Sequence, residues 1–251
     1  MGEGLQTKDV VVRWGLGLSC LAIEVAIVVI VIDACVRVIG ADQLFFWHPV
    51  LLTIGAILFL SHGVRVYTAF AGLSRNKARV VHGILSGVWV CLSIAGLGII
   101  EQVKQETGKP RYHSVHGRLG LAVMFFSLIQ GVAGTLKLFV LFKNNQRFLR
   151  WHGRLGTLVY ASALTAFLTG VMQKFESSEQ NTAITVYVLT FVLALVVLFF
   201  DFWVKGADLI PEAGPAPRDS IKLTAQDGRL YLPLNDSDPA QRRRSVNLVD
   251  A

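Results

Sequence analysis

Six long apolar runs constrain this chain more than any other feature: Leu18–Ile32, Val50–Leu60, Val80–Ile100, Leu119–Leu141, Leu155–Met172 and Ala183–Val204. With their flanks, most approach the ~20 residues that carry an α-helix across a hydrocarbon core. A chain in lipid must satisfy its backbone hydrogen bonds internally, which an isolated helix does and an open strand does not. The runs therefore predict an all-α integral membrane protein of six transmembrane helices. Composition agrees, since 53% hydrophobic and 16% charged residues over 251 positions and a mean hydropathy of +0.53 are too apolar for a soluble domain. The net charge of +7 would suggest nucleic acid in a soluble protein. Here the charges lie mostly at span ends and in the tail, so a lipid membrane is the expected partner and nucleic acid is not.

The cations are unevenly spread. Lys8 and Arg13 precede span one, Arg65, Arg75, Lys77 and Arg79 lie between spans two and three, and Lys143, Arg147, Arg150 and Arg154 lie between four and five, with almost no acid among them. The opposite loops mix Arg37, Lys104, Lys109, Arg111 and Lys174 with Asp42, Glu101, Glu106, Glu176 and Glu179. The positive-inside rule then places both termini in the cytoplasm. The N-terminus lacks a cleavable-signal pattern, so span one reads as a retained anchor, and position six is not the Ser or Thr that myristoylation favours. Three segments follow: a cytoplasmic N-terminus (1–9), a six-span domain (10–205), and a Pro-, Asp- and Arg-rich cytoplasmic tail (206–251), expected to be disordered and ending in a basic cluster at Arg242–Arg244. Cys20, Cys35 and Cys91 fall in or at the ends of spans and read as packing residues. Trp14, Trp47, Trp89, Trp151 and Trp203 read as an interfacial aromatic belt.

Four histidines carry the chemistry. His48, His82, His116 and His152 each stand in or near the first turns of a span. Successive helices run in opposite directions, so His48 and His116 share the non-cytoplasmic side and His82 and His152 the cytoplasmic side. Ionisable groups in a membrane are costly and usually functional. Two pairs at matched depths suit axial ligation of haem iron by neutral imidazoles on facing helices. Val115-His116-Gly117-Arg118-Leu119-Gly120 is echoed by Trp151-His152-Gly153-Arg154-Leu155-Gly156, and more loosely by Val81-His82-Gly83. Residues four apart share a helix face, so Gly120 and Gly156 lie one turn from a histidine, where a flat ligand could approach. His62 and His113 fall outside this pattern. His48 and His62 are fourteen residues apart, about 21 Å along an α-helix and ~40° short of four turns. A regular helix would turn them the same way, the geometry by which a single helix ligates two stacked haems, with His62 replacing His82 or His152. Glu24, unusual within a span, is read as a packing residue.

At these residues the chain resembles the cytochrome b561 family, and especially its short stand-alone members. The resemblance rests on Trp47-His48-Pro49-Val50, on Ala78-Arg79-Val80-Val81-His82, on Arg111 to Gly117, and on Trp151-His152-Gly153, and covers roughly residues 10–205. It implies a four-helix haem-binding core of spans two to five, flanked by spans one and six, with two haem b groups. His48 and His116 match the ligands of the non-cytoplasmic haem, and His82 and His152 those of the cytoplasmic one. It further implies an ascorbate-dependent transmembrane oxidoreductase that passes single electrons from cytoplasmic ascorbate to monodehydroascorbate or ferric iron on the other side. Arg79 matches a basic family position, and with Arg75, Lys77 and Arg150 it forms the expected ascorbate site. Lys109, Arg111 and His113 are the candidates on the acceptor side. A homodimer, in an endomembrane (ER, vesicle or lysosome) or the plasma membrane, is implied by the family alone. The chain departs from the pattern at Leu85 and Ser86, where some members carry a further histidine, and at His62, both of which bear on donor preference.

Two other classes compete. A quinol-oxidising cytochrome b would place two ligands on each of two helices. A divalent-metal transporter would add carboxylates spaced with the histidines, whereas Glu24, Asp33 and Asp201 are not so spaced.

Overall fold

The computed structural model describes residues 3–69, 73–144, 151–207, 224–226 and 229–231, and the chain divides into two units, Met1–Lys205 and Gly206–Ala251. In the first, α1 (Glu3–Val38) is followed by a 3₁₀ turn (Leu44–Phe46), α2 (Trp47–Thr53), a π-helical stretch (Ile54–Leu60) and α3 (Ser61–Ala69). Next come α4 (Arg75–Thr107), α5 (Val115–Asn144), α6 (Trp151–Phe175) and α7 (Gln180–Ala207). Six stretches are long and apolar enough to cross a membrane, as the sequence predicts: Trp14–Val38, Leu44–Thr68, Asn76–Thr107, Val115–Val140, Trp151–Phe175 and Gln180–Phe199. The second of these joins α2, the π-helical stretch and α3 into one span.

Local chemistry sets the span ends. Gly40 closes α1 at φ 89°, and its N–H shares the Cys35 carbonyl, at 3.2 Å, with the Ile39 N–H at 2.9 Å, as at helix ends where the chain turns out of the helix. Ser74 caps α4 by accepting from the Lys77 N–H, and Gly108 ends that helix in the left-handed region. Ser114 accepts the Gly117 N–H at 3.1 Å at the start of α5. Pro49 falls in the first turn of α2, where its missing N–H removes no intrahelical bond.

Spans two to five pack in succession, with α4 against span two and α5, and α5 against α6. Span one lies on span two, and Val186, Leu193 and Val197 of span six join the same buried cluster as Ile27, Val31 and Cys35 of span one. Trp89 departs from the aromatic-belt expectation. It is buried, donates Nε1–H to Ser127 Oγ at 3.2 Å, and stands where a Cβ on Gly55 would lie 2.8 Å from its ring. Trp89 thus locks α4 onto span two and α5, while Trp14, Trp47 and Trp151 are exposed as expected of an interface. The side chain of Trp203 lies outside the described residues. Cys20 and Cys35 are buried, but Cys91 faces outward and so does not pack in the core. Arg65 is not a loop cation: it lies within span two, buried against Glu24, because a buried carboxylate needs a counter-charge.

In the second unit, β1 (Thr224–Gln226) pairs antiparallel with β2 (Arg229–Tyr231), Thr224 opposite Tyr231. Most of the segment expected to be disordered, Arg242–Arg244 included, lies outside the described residues.

The Gly55–Trp89 contact is testable. Gly55→Leu should cost about 1–3 kcal/mol by overpacking and lower the thermal unfolding midpoint in detergent. Gly87→Ala, where an added Cβ meets nothing within 4 Å, should leave the midpoint in place. Equal midpoints for Gly55→Leu and the parent would contradict the packing.

Candidate functional site

The structure brings the four histidines together as two pairs. The His48 ring on α2 and the His116 ring on α5 have centroids 6.2 Å apart, with planes at 87°. The His82 ring on α4 and the His152 ring on α6 are 6.1 Å apart, also at 87°. Each pair joins two different helices, so neither forms without the bundle.

Backbone carbonyls orient the rings. Nδ1 of His48 lies 2.8 Å from the Gly96 carbonyl, that of His82 2.7 Å from the Gly63 carbonyl, and that of His116 2.8 Å from the Ala166 carbonyl. A carbonyl only accepts, so each of these Nδ1 atoms carries the proton and Nε2 keeps its lone pair. That tautomer, with the second nitrogen tied to an acceptor, is the one metal-ligating histidines use. His152 lacks this support: its buried Nδ1 has no hydrogen-bond partner, although Gln130 holds the His152 backbone carbonyl at 3.0 Å.

The donor set fits a metal between each pair. An imidazole nitrogen binds a metal at ~2 Å and lies roughly 1 Å from its ring centre, so two rings on opposite sides of one ion have centres roughly 6 Å apart. Space is also available: a Cβ on Gly83, Gly120 or Gly153 meets nothing within 4 Å. Gly117 instead sits against the Tyr112 backbone, and Gly156 touches Gln130. Two glycines that the histidine repeats do not reveal face the rings from neighbouring helices. A Cβ on Gly170 would lie 2.8 Å from His116 Cε1, and one on Gly134 3.2 Å from His152 Cε1. Glycine is required at Gly170, yet no local motif connects it to a histidine fifty-four positions earlier in the sequence.

A cavity of about 420 Å³ reaches the first pair, lined by His48, His116, Gly120, Met124, Leu97 and Phe167 in its body and by Glu101, Lys104, Lys109, Tyr112 and Lys174 near the connecting loop and helix ends. Of the residues expected here, Lys109 lines the cavity, Arg111 pairs with Glu101 at 3.1 Å, and His113 is exposed and absent from the lining. Sequence reasoning missed Lys104, Tyr112 and Lys174. Lys104 Nζ lies 5.6 Å over the Tyr112 ring, and Lys174 Nζ lies 5.5 Å over Phe45, which stacks on His48. Tyr112 adopts φ 50°, uncommon for a residue with a side chain. Its burial and the adjacent Glu101 carboxylate raise the phenol above its ordinary value of 10.

Around the second pair, the Tyr67 ring lies 5.5 Å from His82. Arg79, one turn before His82, donates to Asn76 Oδ1 at 2.7 Å, and Lys77 is exposed. The side chain of Arg75, and Arg150 altogether, lie outside the described residues. His62 takes no part in either pair. Its Nδ1–H reaches the Leu58 carbonyl at 2.9 Å and lies 3.1 Å from Glu24 Oε2. The expectation that His48 and His62 face the same way fails because the π-helical stretch Ile54–Leu60 lies between them. Wider i→i+5 turns advance each residue by less than an α-helix does, so His48 meets α5 while His62 meets α1. Among the described residues, no three or more His, Cys, Asp or Glu side chains gather as a metal site.

Residues 47–177, just over half of the chain, match the eukaryotic cytochrome b561 family. The chain belongs to the cytochrome b561 family. The matched stretch of this cytochrome b561 contains all four paired histidines and leaves out spans one and six. Membership makes it a haem b protein. It is 32% identical over 153 residues to transmembrane ascorbate ferrireductase 2 of Arabidopsis thaliana, a match covering 58% of this chain and 64% of that relative, a little under two thirds. It is 26% identical to ascorbate-specific transmembrane electron transporter 2 of Zea mays, over 77% of this chain and 81% of the relative. To probable ascorbate-specific transmembrane electron transporter 1 of Oryza sativa subsp. japonica it is 24% identical, over 86% and 94%.

The Tyr112–Glu101 contact yields a second test. In an ultraviolet phenolate titration, the component missing from Tyr112→Phe should ionise above pH 10, and Glu101→Gln should move it downward because a raising charge is removed. A Tyr112 component already at or below 10 in the parent would contradict the geometry.

Proposed function

We propose that this cytochrome b561 carries single electrons across a membrane, from ascorbate on the cytoplasmic side to monodehydroascorbate or ferric iron on the other. In this reading His48 and His116 hold one haem b, and His82 and His152 hold a second. The observation that carries it is the pairing itself: two facing imidazole pairs on four helices, each at metal-sharing separation. The relatives' names, which speak of ascorbate, ferrireduction and electron transport, support ascorbate as the donor.

A bound haem supplies iron that changes oxidation state by one electron. The chain's own residues do the rest. The carbonyls of Gly96, Gly63 and Ala166 hold three of the four ligand rings in place and raise their basicity through Nδ1. The apolar spans surround the half-buried pairs and limit the access of water to them. Arg79 and Lys77, with Arg75 and Arg150, give the His82/His152 end a positive field that gathers the ascorbate anion. The excess of cations in the 75–79 and 143–154 segments supports placing that end, and both termini, in the cytoplasm. At the opposite mouth, Lys104, Lys109 and Lys174 attract an anionic acceptor, while Glu101 offers a carboxylate to a cation. The orientation of His62 toward Glu24 favours this scheme over the quinol-type arrangement with His62 as a ligand.

Anaerobic addition of ascorbate to the purified oxidised protein should produce the reduced absorption bands of haem b. Of the single variants, His48→Ala and His116→Ala should lose the same spectral component, about half the bound haem, and His82→Ala and His152→Ala the other. A protein that dithionite reduces but ascorbate does not would remove the proposed donor. Loss of a common component in His48→Ala and His82→Ala would overturn the ligand assignment.

A further inference from the structure

Span one carries no histidine, yet its Glu24 is the centre of a buried polar cluster that electron transfer as proposed does not use. Glu24 is fully buried. Ser61 Oγ donates to its Oε1 at 2.5 Å, Arg65 Nη2 donates to the same oxygen, and His62 Nδ1 lies 3.1 Å from Oε2. Tyr160 of α6, two turns beyond His152, donates to Ser61 Oγ at 3.4 Å. A carboxylate at this depth is costly unless paired, so these contacts are not freely exchanged for others.

The hydrogen-bonding partners on α3 are Ser61 and Arg65, and with the neighbouring His62 they bracket Gly63. The Gly63 carbonyl accepts the Nδ1–H of His82 at 2.7 Å. Just before this turn, the π-helical stretch ends at Leu60, so α3 begins at a change of helical register. A π-helical insertion shifts the phase of everything after it, and without an external anchor the direction of the Gly63 carbonyl would follow that phase. Glu24 supplies the anchor from a separate helix.

We infer that Glu24 is a positioning residue: through Ser61, His62 and Arg65 it fixes the Gly63 carbonyl on His82 Nδ1, so that a helix without a ligand sets the orientation and basicity of a ligand in the His82/His152 pair. The inference rests on the reading of His82 as a haem ligand. A ligand histidine that donates firmly through Nδ1 is the more basic donor and favours ferric iron. Loosening the carbonyl should therefore raise the reduction midpoint of that centre and leave the His48/His116 centre unchanged.

The test uses the purified full-length protein, potentiometric titration and low-temperature electron paramagnetic resonance of the ferric state, with components assigned by their absence in His82→Ala and His48→Ala. Glu24→Leu with Arg65→Leu removes the cluster without changing its net charge, an exchange that buried ion pairs often tolerate. Ser61→Ala removes one hydroxyl and provides a milder second variant should the double variant fail to fold. The expected result is a higher midpoint for the His82 component, by about tenfold in its reduction equilibrium or ~59 mV for a one-electron couple in the double variant, and a smaller rise in Ser61→Ala. Its ferric signal should change while that of the His48 component does not. Midpoints that stay fixed in both variants, or that move alike for both components, overturn the positioning role and leave Glu24 as packing. A parent protein without two haem b components overturns the ligand reading instead, and the inference with it.

Discussion

Everything in this bundle depends on one interaction, a histidine Nδ1–H donated to a backbone carbonyl of another helix. It recurs for His48, His82 and His116. A carbonyl in a helix normally points along the axis to its own fourth neighbour, so an imidazole that reaches it must approach closely. Two of the three carbonyls belong to glycines, Gly63 and Gly96, at positions packed tightly by the neighbouring helix. The bond fixes the tautomer, the tautomer fixes which nitrogen is left to bind, and the crossing of helices fixes where that nitrogen lies.

The same requirement explains the irregular span two. It must present His48 to α5, the Gly63 carbonyl to α4, and His62 with Arg65 to α1 within a single crossing. A uniform α-helix offers one repeating phase for all three. The π-helical stretch Ile54–Leu60 shifts that phase midway, and Trp89 packs on Gly55 inside the shift. Glu24 then holds the second half in its new register. The buried ion pair is weak evidence for stability, since desolvation offsets much of its attraction, but it is well suited to specifying one rotation of one helix against another.

Much of this was legible in the sequence. Apolar runs near the required length disclose six spans, and their alternating direction pairs His48 with His116 and His82 with His152. The family resemblance rested on the same residues. The hidden parts are those that depend on irregular backbone or on contacts between helices. No propensity marks Ile54–Leu60 as π-helical, so His62 was expected to share a face with His48. Arg65 looks like a loop cation until Glu24 is found beside it. Trp89 resembles the other tryptophans by type and differs only in depth. Gly134 and Gly170 clear space for rings on other helices, which sequence spacing alone does not identify.

The central claim is that the two histidine pairs together carry electrons from one face of the membrane to the other. The most direct measurement encloses ascorbate in vesicles containing the purified, haem-loaded protein and follows reduction of a membrane-impermeant ferric chelate outside. The account predicts external ferrous iron that depends on internal ascorbate and falls to the protein-free rate in both His82→Ala and His116→Ala, since each centre is needed for the crossing. External reduction that persists at the parent rate in either variant, or is no faster than in protein-free vesicles although internal ascorbate reduces the haem, would contradict it.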